Sequence, residues 1–352
     1  LTPRISIWAI LTILAVAATG AMAADPVLGD PDPNDMRLLR YPDIHGDLIV
    51  FSYAGDLWTV SAQGGQARRL TGSVGFQSSA KFSPDGATIA FSGNYDGNHD
   101  VYTIPAGGGE PERLTWHPGW DRVIDWQPDG AAVRFQSPRQ SHTGRDLQLY
   151  TVSTGGGLPR RIVLPEAGLS SYAPDGHRIA FNRNSRESRT WKRYKGGMAQ
   201  DVWVYDFDAN STRQITDWEG SDNYPMWHGD KIYYNRDRTG RLQIWVYDTT
   251  SDTHRQVTDH DEYDVKHPSL GPDAIVYENG GWLHVLDLAT EETRKLTVSL
   301  QSDHVTARPG LRKAGDLINS GDLAPDANRA VFDARGDVFT VPAEKGDVRN
   351  LT

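Results

Sequence analysis

A short segment recurs along the chain with nearly the same residues. FSPDGATIAF begins at Phe82, WQPDGAAVRF at Trp126, YAPDGHRIAF at Tyr172 and LAPDANRAVF at Leu323. In such a segment Pro presets φ for a turn, and Gly accepts the positive φ that closes it. The apolar and polar residues that follow alternate, which is typical of a β-strand. A third strand, a Gly-rich stretch and a fourth strand ending in Leu-Thr complete each unit, so the chain is predicted to be a series of four-stranded sheets.

The spacing of the repeat predicts a β-propeller. Repeats of about 40–50 residues with four strands each are typical of propeller blades. A single four-stranded sheet cannot cover both of its own faces, and neighbours placed around an axis cover them. We therefore expect an all-β fold with a six-bladed propeller over residues 41–297, a connection over 298–322, and the first blade of a second, truncated propeller over 323–352. A single seven-bladed ring and a sandwich of hairpins without a ring are the alternatives.

The first residues have the pattern of a secretory signal peptide. Arg4 precedes an apolar run from Ile7 to Ala18, and Ala21 and Ala23 are spaced as in an Ala-x-Ala cleavage site. The run is short for a membrane span, which needs about 20 residues. We expect a signal peptide over residues 1–23 and a linker over 24–40, with an exported, periplasmic or secreted protein as the result. An uncleaved N-terminal anchor is the alternative.

Composition and motifs exclude several classes of function. The formal net charge is −10, which disfavours nucleic-acid binding because nothing offsets phosphate repulsion over a broad face. The chain has no cysteine, so disulfides and thiolate metal sites are absent. The sequence contains no nucleophile elbow, zinc-helix motif or phosphate-binding loop. We expect no catalytic residue, no metal and no cofactor in this chain.

Basic residues in the third and fourth units are the candidate substrate-binding groups. The fourth unit carries an insertion, RNSRESRTWKRYKGGMAQD, over residues 183–201, where other units have a few turn residues. Arg and Lys beside aromatic rings can bind carboxylates or stack on ligands. The alternative is that the insertion packs across its own blade or against another domain. The candidates are Arg122, Arg139, Arg145, Trp191, Lys192, Arg193 and Lys195.

Longer segments resemble the amino-terminal part of the tricorn-type proteases, in the S41 class of serine peptidases. They are YPDIHGDLIVFSYAGDLWTV at Tyr41, RTWKRYKGGMAQDVWVYD at Arg189 and EYDVKHPSLGP at Glu262, together with ARGDVFTVPAEKGDVRNLT at Ala334. The resemblance spans nearly all of the chain after the signal peptide. The Pro-Asp-Gly (PD40-type) blades alone are less specific, because TolB-like propellers share them.

The resemblance implies a larger protein. Family members carry a six-bladed propeller, a seven-bladed one, a PDZ domain and a catalytic domain with a serine nucleophile, which here would all follow the first propeller. The resemblance implies that the propeller admits and guides peptide or unfolded-protein substrates to the catalytic domain, and it leaves homo-oligomer formation open. The ending inside a second ring favours a fragment of such a protease. The alternatives are a stand-alone TolB-like module that binds proteins in the periplasm, and a propeller enzyme such as a carbohydrate lyase.

Overall fold

The computed structural model describes residues 32, 34–73, 75–142, 146–188, 192–302 and 313–352. The predicted signal peptide and most of the predicted linker lie outside these residues. The chain divides into two compact units, Leu1–Gln301 and Ser302–Thr352. Within the described residues the regular structure is β-strand, apart from one 3₁₀ turn, Gly315–Leu317. No helix in this part of the chain is long and apolar enough to cross a membrane.

The described residues of the first unit form six sheets, each built from four strands that follow one another in the chain, and sheet 1 gains a further strand from later in the chain. Sheet 1 contains β1 (Arg40–His45), β2 (Leu48–Tyr53), β3 (Asp56–Ser61) and β4 (Gly65–Arg69). Sheet 2 contains β5 (Gln77–Phe82), β6 (Thr88–Gly93), β7 (Asp100–Pro105) and β8 (Glu112–Arg113). Sheet 3 contains β9 (Arg122–Trp126), β10 (Ala132–Ser137), β11 (Gln148–Ser153) and β12 (Arg160–Arg161).

The other three sheets follow the same order. Sheet 4 contains β13 (Ser170–Tyr172), β14 (Arg178–Asn182), β15 (Val202–Asp206) and β16 (Ser211–Gln214). Sheet 5 contains β17 (Asp222–His228), β18 (Lys231–Arg236), β19 (Gln243–Asp248) and β20 (Thr253–Gln256). Sheet 6 contains β21 (Lys266–Leu270), β22 (Ala274–Asn279), β23 (Trp282–Asp287) and β24 (Thr293–Lys295), and β25 (Val298–Leu300) follows it in the chain.

The sheets are arranged around a common axis. The first strand of each sheet contacts the first strand of the next, and that of sheet 6 contacts that of sheet 1. Apolar clusters fill the space between neighbouring sheets, including the one between sheet 6 and sheet 1. Ile89, Ala90 and Phe91 are successive residues of β6, and all are fully buried because a neighbouring sheet covers each face. The propeller fold that the repeat predicts is confirmed.

The ring is closed by a strand in the stretch that the sequence analysis assigns to the connection over 298–322. Strand β25 pairs in parallel with β4 and adds a fifth, outermost strand to sheet 1. Val298 and Leu300 are buried there. Gly64 lies at the junction with φ +88°, and a Cβ at this position would lie 2.6 Å from the carbonyl oxygen of Thr297. A strand of three residues is too short for its pattern to be recognised in a sequence.

The two repeated motifs have structural roles. Asp85 Oδ1 accepts a hydrogen bond from the Ala87 N–H at 3.0 Å, and the corresponding aspartates of the next two repeats make the same turn contact. In the Leu-Thr motif, Thr115 Oγ1 accepts a hydrogen bond from the Val101 N–H at 3.0 Å. The threonines of sheets 1, 4 and 5 make the equivalent bond. The fourth strand of these blades is therefore tied to the third by a buried side chain.

We expect Thr115→Val to lower the free energy of unfolding by about 1–3 kcal/mol, because the Val101 N–H would lose its buried acceptor. Valine keeps the shape of the side chain, so the change removes only the hydrogen bonds of the hydroxyl, the one from the Val101 N–H and the one that it donates to Asp100 Oδ1 at 3.1 Å. Denaturant unfolding followed by Trp fluorescence measures the effect. Thr154→Val, at an exposed position in the turn after β11, is the control. Equal stability of the two variants would show that the motif has no stabilising role.

The second unit contains one antiparallel sheet. Its strands are β26 (Ile318–Leu323), β27 (Arg329–Ala334), β28 (Asp337–Pro342) and β29 (Arg349–Asn350). The sheet thus begins five residues before Leu323, the residue at which the sequence analysis starts the last unit. Large apolar side chains of this unit are exposed, among them Leu323 at 67 % and Val348 at 59 %.

Candidate functional site

The axis of the first unit holds a cavity of about 110 Å³ lined by the first strands of all six sheets. Four lining residues other than glycine have positive φ: Tyr41 at 50°, Ser79 at 54°, Tyr224 at 55° and His267 at 46°. Each lies in a β-bulge, where the register with the second strand shifts. Strained backbone of this kind persists where the surrounding structure enforces it, and it concentrates at functional sites.

Equivalent positions of the six strands form two rings of side chains around this channel. The first ring, near the bulges, consists of Tyr41, Ser79, Val123, Leu169, Tyr224 and His267. The second ring lies two residues further along each strand. Lys81, Asp125, Ser171, Met226 and Ser269 line the cavity at this level, and the sixth position of the ring is the buried Asp43. The channel therefore presents an aromatic and polar layer followed by a charged and polar layer.

Aromatic side chains occupy one side of the first ring. The centroids of the Tyr41 and His267 rings are 4.4 Å apart, and those of Tyr224 and His267 are 5.9 Å apart. Burial raises the pKa of Tyr224 above its usual range, with a further contribution from the carboxylate of Glu187. The phenol is therefore neutral and can donate or accept a hydrogen bond.

A buried carboxylate holds this aromatic side in place. Glu278 accepts hydrogen bonds from Arg40 at 2.8 Å and from the Tyr41 N–H at 2.8 Å, and its Oε1 is 2.7 Å from His267 Nδ1. Burial alone would raise the pKa of Glu278, but the contacts with His267 and Arg40 bring it below its usual value. Glu278 thus links sheets 6 and 1 behind the channel wall.

The second ring contains an ion pair and a serine. Lys81 Nζ is 3.3 Å from Asp43 Oδ1, and Ser269 Oγ hydrogen-bonds to both groups. Burial raises the pKa of Asp43, although the Lys81 charge opposes the shift. Lys81 Nζ donates to Ser269 Oγ, and Ser269 Oγ in turn donates to Asp43 Oδ1. The hydroxyl proton of Ser269 is therefore directed at the carboxylate and not at the lysine.

The insertion lies at the end of the channel where the first strands begin. Glu187 Oε1 is 2.6 Å from Arg122 Nη1, at the first residue of β9. Lys192 pairs at 3.0 Å with Asp264, which comes just before β21 of sheet 6 in the chain. Arg193 Nε donates at 3.0 Å to the carbonyl of Gly240, in the turn between β18 and β19 of sheet 5. The described residues of the insertion therefore contact sheet 3 and the segments beside sheets 5 and 6.

The opposite end of the channel is formed by the turns that follow the first strands. A depression of about 370 Å³ is lined there by prolines of these turns and by large side chains at the strand ends. The prolines are Pro84, Pro128, Pro174 and Pro272. Trp126 donates its indole N–H to the Lys81 carbonyl at 2.9 Å, which fixes this end of sheet 3 against sheet 2.

The predicted binding residues are dispersed. Arg122 lines the channel, and Lys192 and Arg193 line a second pocket beside it. Lys195 pairs with Glu219 at 2.5 Å on the surface. Arg139 is 2.6 Å from the buried carboxylate of Asp121, and its guanidinium lies 5.0 Å from the Phe135 and Tyr150 ring centroids. Arg145 and Trp191 lie outside the described residues.

The residues of the first ring were not among those predicted from the sequence. Their signal was the dipeptide at the bulge: Tyr41-Pro42, Tyr224-Pro225 and His267-Pro268 recur at the same position of three sheets. A residue before proline normally avoids helical backbone angles, so a repeated X-Pro inside a strand marks an unusual backbone. No cluster of three or more metal-binding side chains occurs among the described residues.

Comparison with known proteins places this propeller in context. The family model described as the tricorn protease N-terminal β-propeller domain matches residues 36–292. The tricorn protease homolog of Saccharolobus solfataricus is 25 % identical over 85 % of this chain and 28 % of its own length. Tricorn protease homolog 1 of Streptomyces coelicolor is 27 % identical over 92 % of this chain and 30 % of its own length. The chain thus spans about three tenths of these relatives.

Solved structures share the fold. The crystal structure of the tricorn protease matches with a TM-score of 0.71 and 24 % identity, over 90 % of this chain and 31 % of the other. TolB from Acinetobacter baumannii matches with a TM-score of 0.50 and 18 % identity, over 66 % of this chain and 57 % of the other. Likeness at these identities concerns the architecture, and it does not extend to activity.

Proposed function

The chain belongs to the family of tricorn protease N-terminal β-propeller domains, and from this premise we propose that it guides peptides through its channel within an exported serine peptidase of the S41 class. The peptide bond would be cleaved in a catalytic domain of the larger protein. The roles of this chain are to admit an extended peptide or unfolded segment and to orient it. A second propeller and a PDZ domain belong to the same proposal.

The channel is the observation that carries this proposal. Its two rings offer aromatic faces, hydroxyl groups and charges of both signs, which suit a peptide backbone and varied side chains. The serine and lysine in the second ring are held by Asp43, which supports a guiding role rather than a chemical one. TolB shares this fold, so the fold alone would also suit a stand-alone protein-binding module. The X-Pro bulges and the insertion of this channel add no support for that alternative.

Two further features support the larger assembly. The sheet of the second unit exposes large apolar side chains such as Leu323 and Val348, which neighbouring blades would cover. Residues 1–23 have a charged residue, an apolar run and then small residues, as in a signal peptide. This pattern supports the proposal that the protein is exported to the periplasm or the medium.

We expect a bulky label in the first ring to block peptide binding. The chain has no cysteine, so Ser79→Cys provides one site for a large maleimide. Ser79 is partly exposed in the channel wall, and the label would fill the space that a peptide needs. Binding of a fluorescent unstructured peptide, measured by anisotropy on the whole chain, should weaken by about tenfold or more, or about 1.4 kcal/mol.

The matched control is Ser211→Cys with the same label, on the exposed outermost strand of sheet 4. Peptide affinity should be unchanged in this variant. A labelled Ser79→Cys protein that binds peptide as well as the control does would refute the channel as the path. Failure of the unmodified chain to bind any unstructured peptide would refute the guiding role itself.

A further inference from the structure

The last residue of the insertion, Asp201, carries a carboxylate without the arginine that its counterparts bind. In sheets 1 and 2 the aspartate that begins the third strand pairs with an arginine of the fourth strand. These pairs are Asp56 with Arg69 and Asp100 with Arg113, each at 2.6 Å. In sheet 4 Asp201 directly precedes β15, and the fourth-strand position holds Gln214. The side-chain amide of Gln214 donates instead to the Thr216 carbonyl, at 2.7 Å.

A second carboxylate lies beside Asp201. Asn182 Nδ2 donates to the backbone carbonyls of both Asp201 and Asp222, at 2.8 and 2.9 Å. Asp222 is fully buried, and its two carboxylate oxygens are already bound by Arg236. Asp201 Oδ1 is shielded from solvent and accepts no hydrogen bond from any described residue. The cation of this place is therefore engaged with Asp222, and Asp201 is left with a shielded, unbonded oxygen.

These surroundings favour the protonated form of the carboxyl group. Burial raises the pKa of Asp201 to about 6, and the negative charges of Asp222 and Asp217 add to the shift. The Arg236 charge and the Thr216 hydroxyl oppose it. An unfolded aspartate titrates at about 3.9, so the folded chain holds a proton on Asp201 over a pH range in which the unfolded chain does not. Stability from this group therefore rises as the pH falls through about 6.

The residue before Asp201 joins the insertion to sheet 5. Gln200 is buried, and its Nε2 donates to the carbonyl of Asn184, near the start of the insertion, at 3.0 Å. Its Oε1 accepts a hydrogen bond from Asn223 Nδ2 at 3.2 Å, and its carbonyl accepts one from the Asp222 N–H at 2.7 Å. A negative charge on Asp201 repels Asp222 directly beside these contacts between the insertion and β17.

We propose that Asp201 makes the base of the insertion responsive to pH, because uptake of one proton by its carboxyl group strengthens the junction between the insertion and β17. When the carboxyl group is ionised, repulsion from Asp222 and the cost of burying a second charge weaken this junction. The insertion lies at one end of the channel, so the acidity of the surroundings sets how firmly that end is held. The inference does not depend on the passage of peptides through the channel.

Asp201→Asn, which keeps the side chain neutral at every pH, tests the inference by urea unfolding of the whole chain. At pH 7.5 we expect the unfolding equilibrium constant of the variant to be about tenfold or more below that of the wild type, and the ratio to shrink by about tenfold at pH 5.0. The comparison cancels the titration of groups that both proteins share. Amide hydrogens of residues 192–200 should also exchange more slowly in the variant than in the wild type at pH 7.5.

A second variant supplies the arginine that sheets 1 and 2 have. Gln214→Arg should lower the unfolding equilibrium constant at pH 7.5 by about fivefold and remove the stabilisation that acid gives through Asp201. The matched control is Gln256→Arg, since Gln256 has the same place and the same bond to the Thr258 carbonyl in sheet 5, where the third strand begins with the uncharged Gln243. A ratio of wild type to Asp201→Asn that does not change with pH, or equal gains from the two arginine variants, overturns the inference.

Discussion

Replacing Asp222 with alanine should lower the free energy of unfolding by about 3–5 kcal/mol, because it leaves a buried arginine without its counter-ion. Asp222 begins β17 and Arg236 ends β18, and the two residues are paired in register. The guanidinium makes two bonds to the carboxylate, at 2.7 and 2.8 Å. The side chains are 0 % and 4 % exposed, so water cannot replace the lost partner. Urea unfolding followed by Trp fluorescence measures the change.

The control for this pair is Glu219→Ala, which breaks an ion pair exposed to solvent. Lys195 and Glu219 are 52 % and 62 % exposed, and such pairs contribute about 1 kcal/mol or less. In Asp222→Ala, Arg236→Met the charge is removed as well, and we expect part of the stability to return. If Asp222→Ala loses no more stability than Glu219→Ala does, the pair is not a determinant of stability in sheet 5.

Strand β25, which closes the ring, is the second place where a substitution should strongly lower the free energy of unfolding. Val298→Asp should lower the free energy of unfolding by about 4 kcal/mol or more, because it places an unpaired carboxylate in an apolar cluster. Val298 is fully buried between sheets 6 and 1. Its carbonyl accepts a hydrogen bond from the Met36 N–H at 2.8 Å, which ties the segment before β1 to the same junction. Thermal or urea unfolding measures the loss.

Ser299→Asp provides the matched control, because it adds the same charge one residue further along the strand. Ser299 is partly exposed, and successive side chains of a strand point to opposite faces. We expect its effect to be a small fraction of that of Val298→Asp. Hydrogen exchange of the β4 amides should accelerate in Val298→Asp before that of sheets 3 and 4. Uniform acceleration across the six sheets would show that closure does not depend on this strand.

The geometry of the ring explains how a repeat can produce a specific site. Each blade supplies one residue to each ring of the channel, so six similar segments yield twelve positions at which side chains meet. The blades differ at these positions, from Tyr41 and His267 in the first ring to Asp43 and Lys81 in the second. Val123, Leu169 and Met226 also belong to the clusters between sheets. Substitutions at the other positions can change the channel with little effect on those clusters, which is why one architecture can host different functions.

The sequence by itself determined the all-β fold, since each blade carries its own turn, strand and Leu-Thr signals. The Asp85 turn and the Thr115 bond are contacts within one blade, and local contacts leave a local pattern. It also indicated the insertion over 183–201, because an extra polar segment interrupts a regular period. The binding roles of the candidate residues stay predictions, namely those of Arg122, Arg139, Arg145, Trp191, Lys192, Arg193 and Lys195.

Only the tertiary structure decided which residues face the channel, which groups pair with their charges and how the ring closes. Tyr41 and His267 are 226 residues apart in sequence, since the ring brings sheet 1 beside sheet 6. The same closure joins β25 to β4. The packing of sheet 4 against sheet 3 brings Glu187 to Arg122. Whether a charge such as Arg122 is partnered depends on the packing of distant segments around an axis, and no spacing along the chain encodes that geometry.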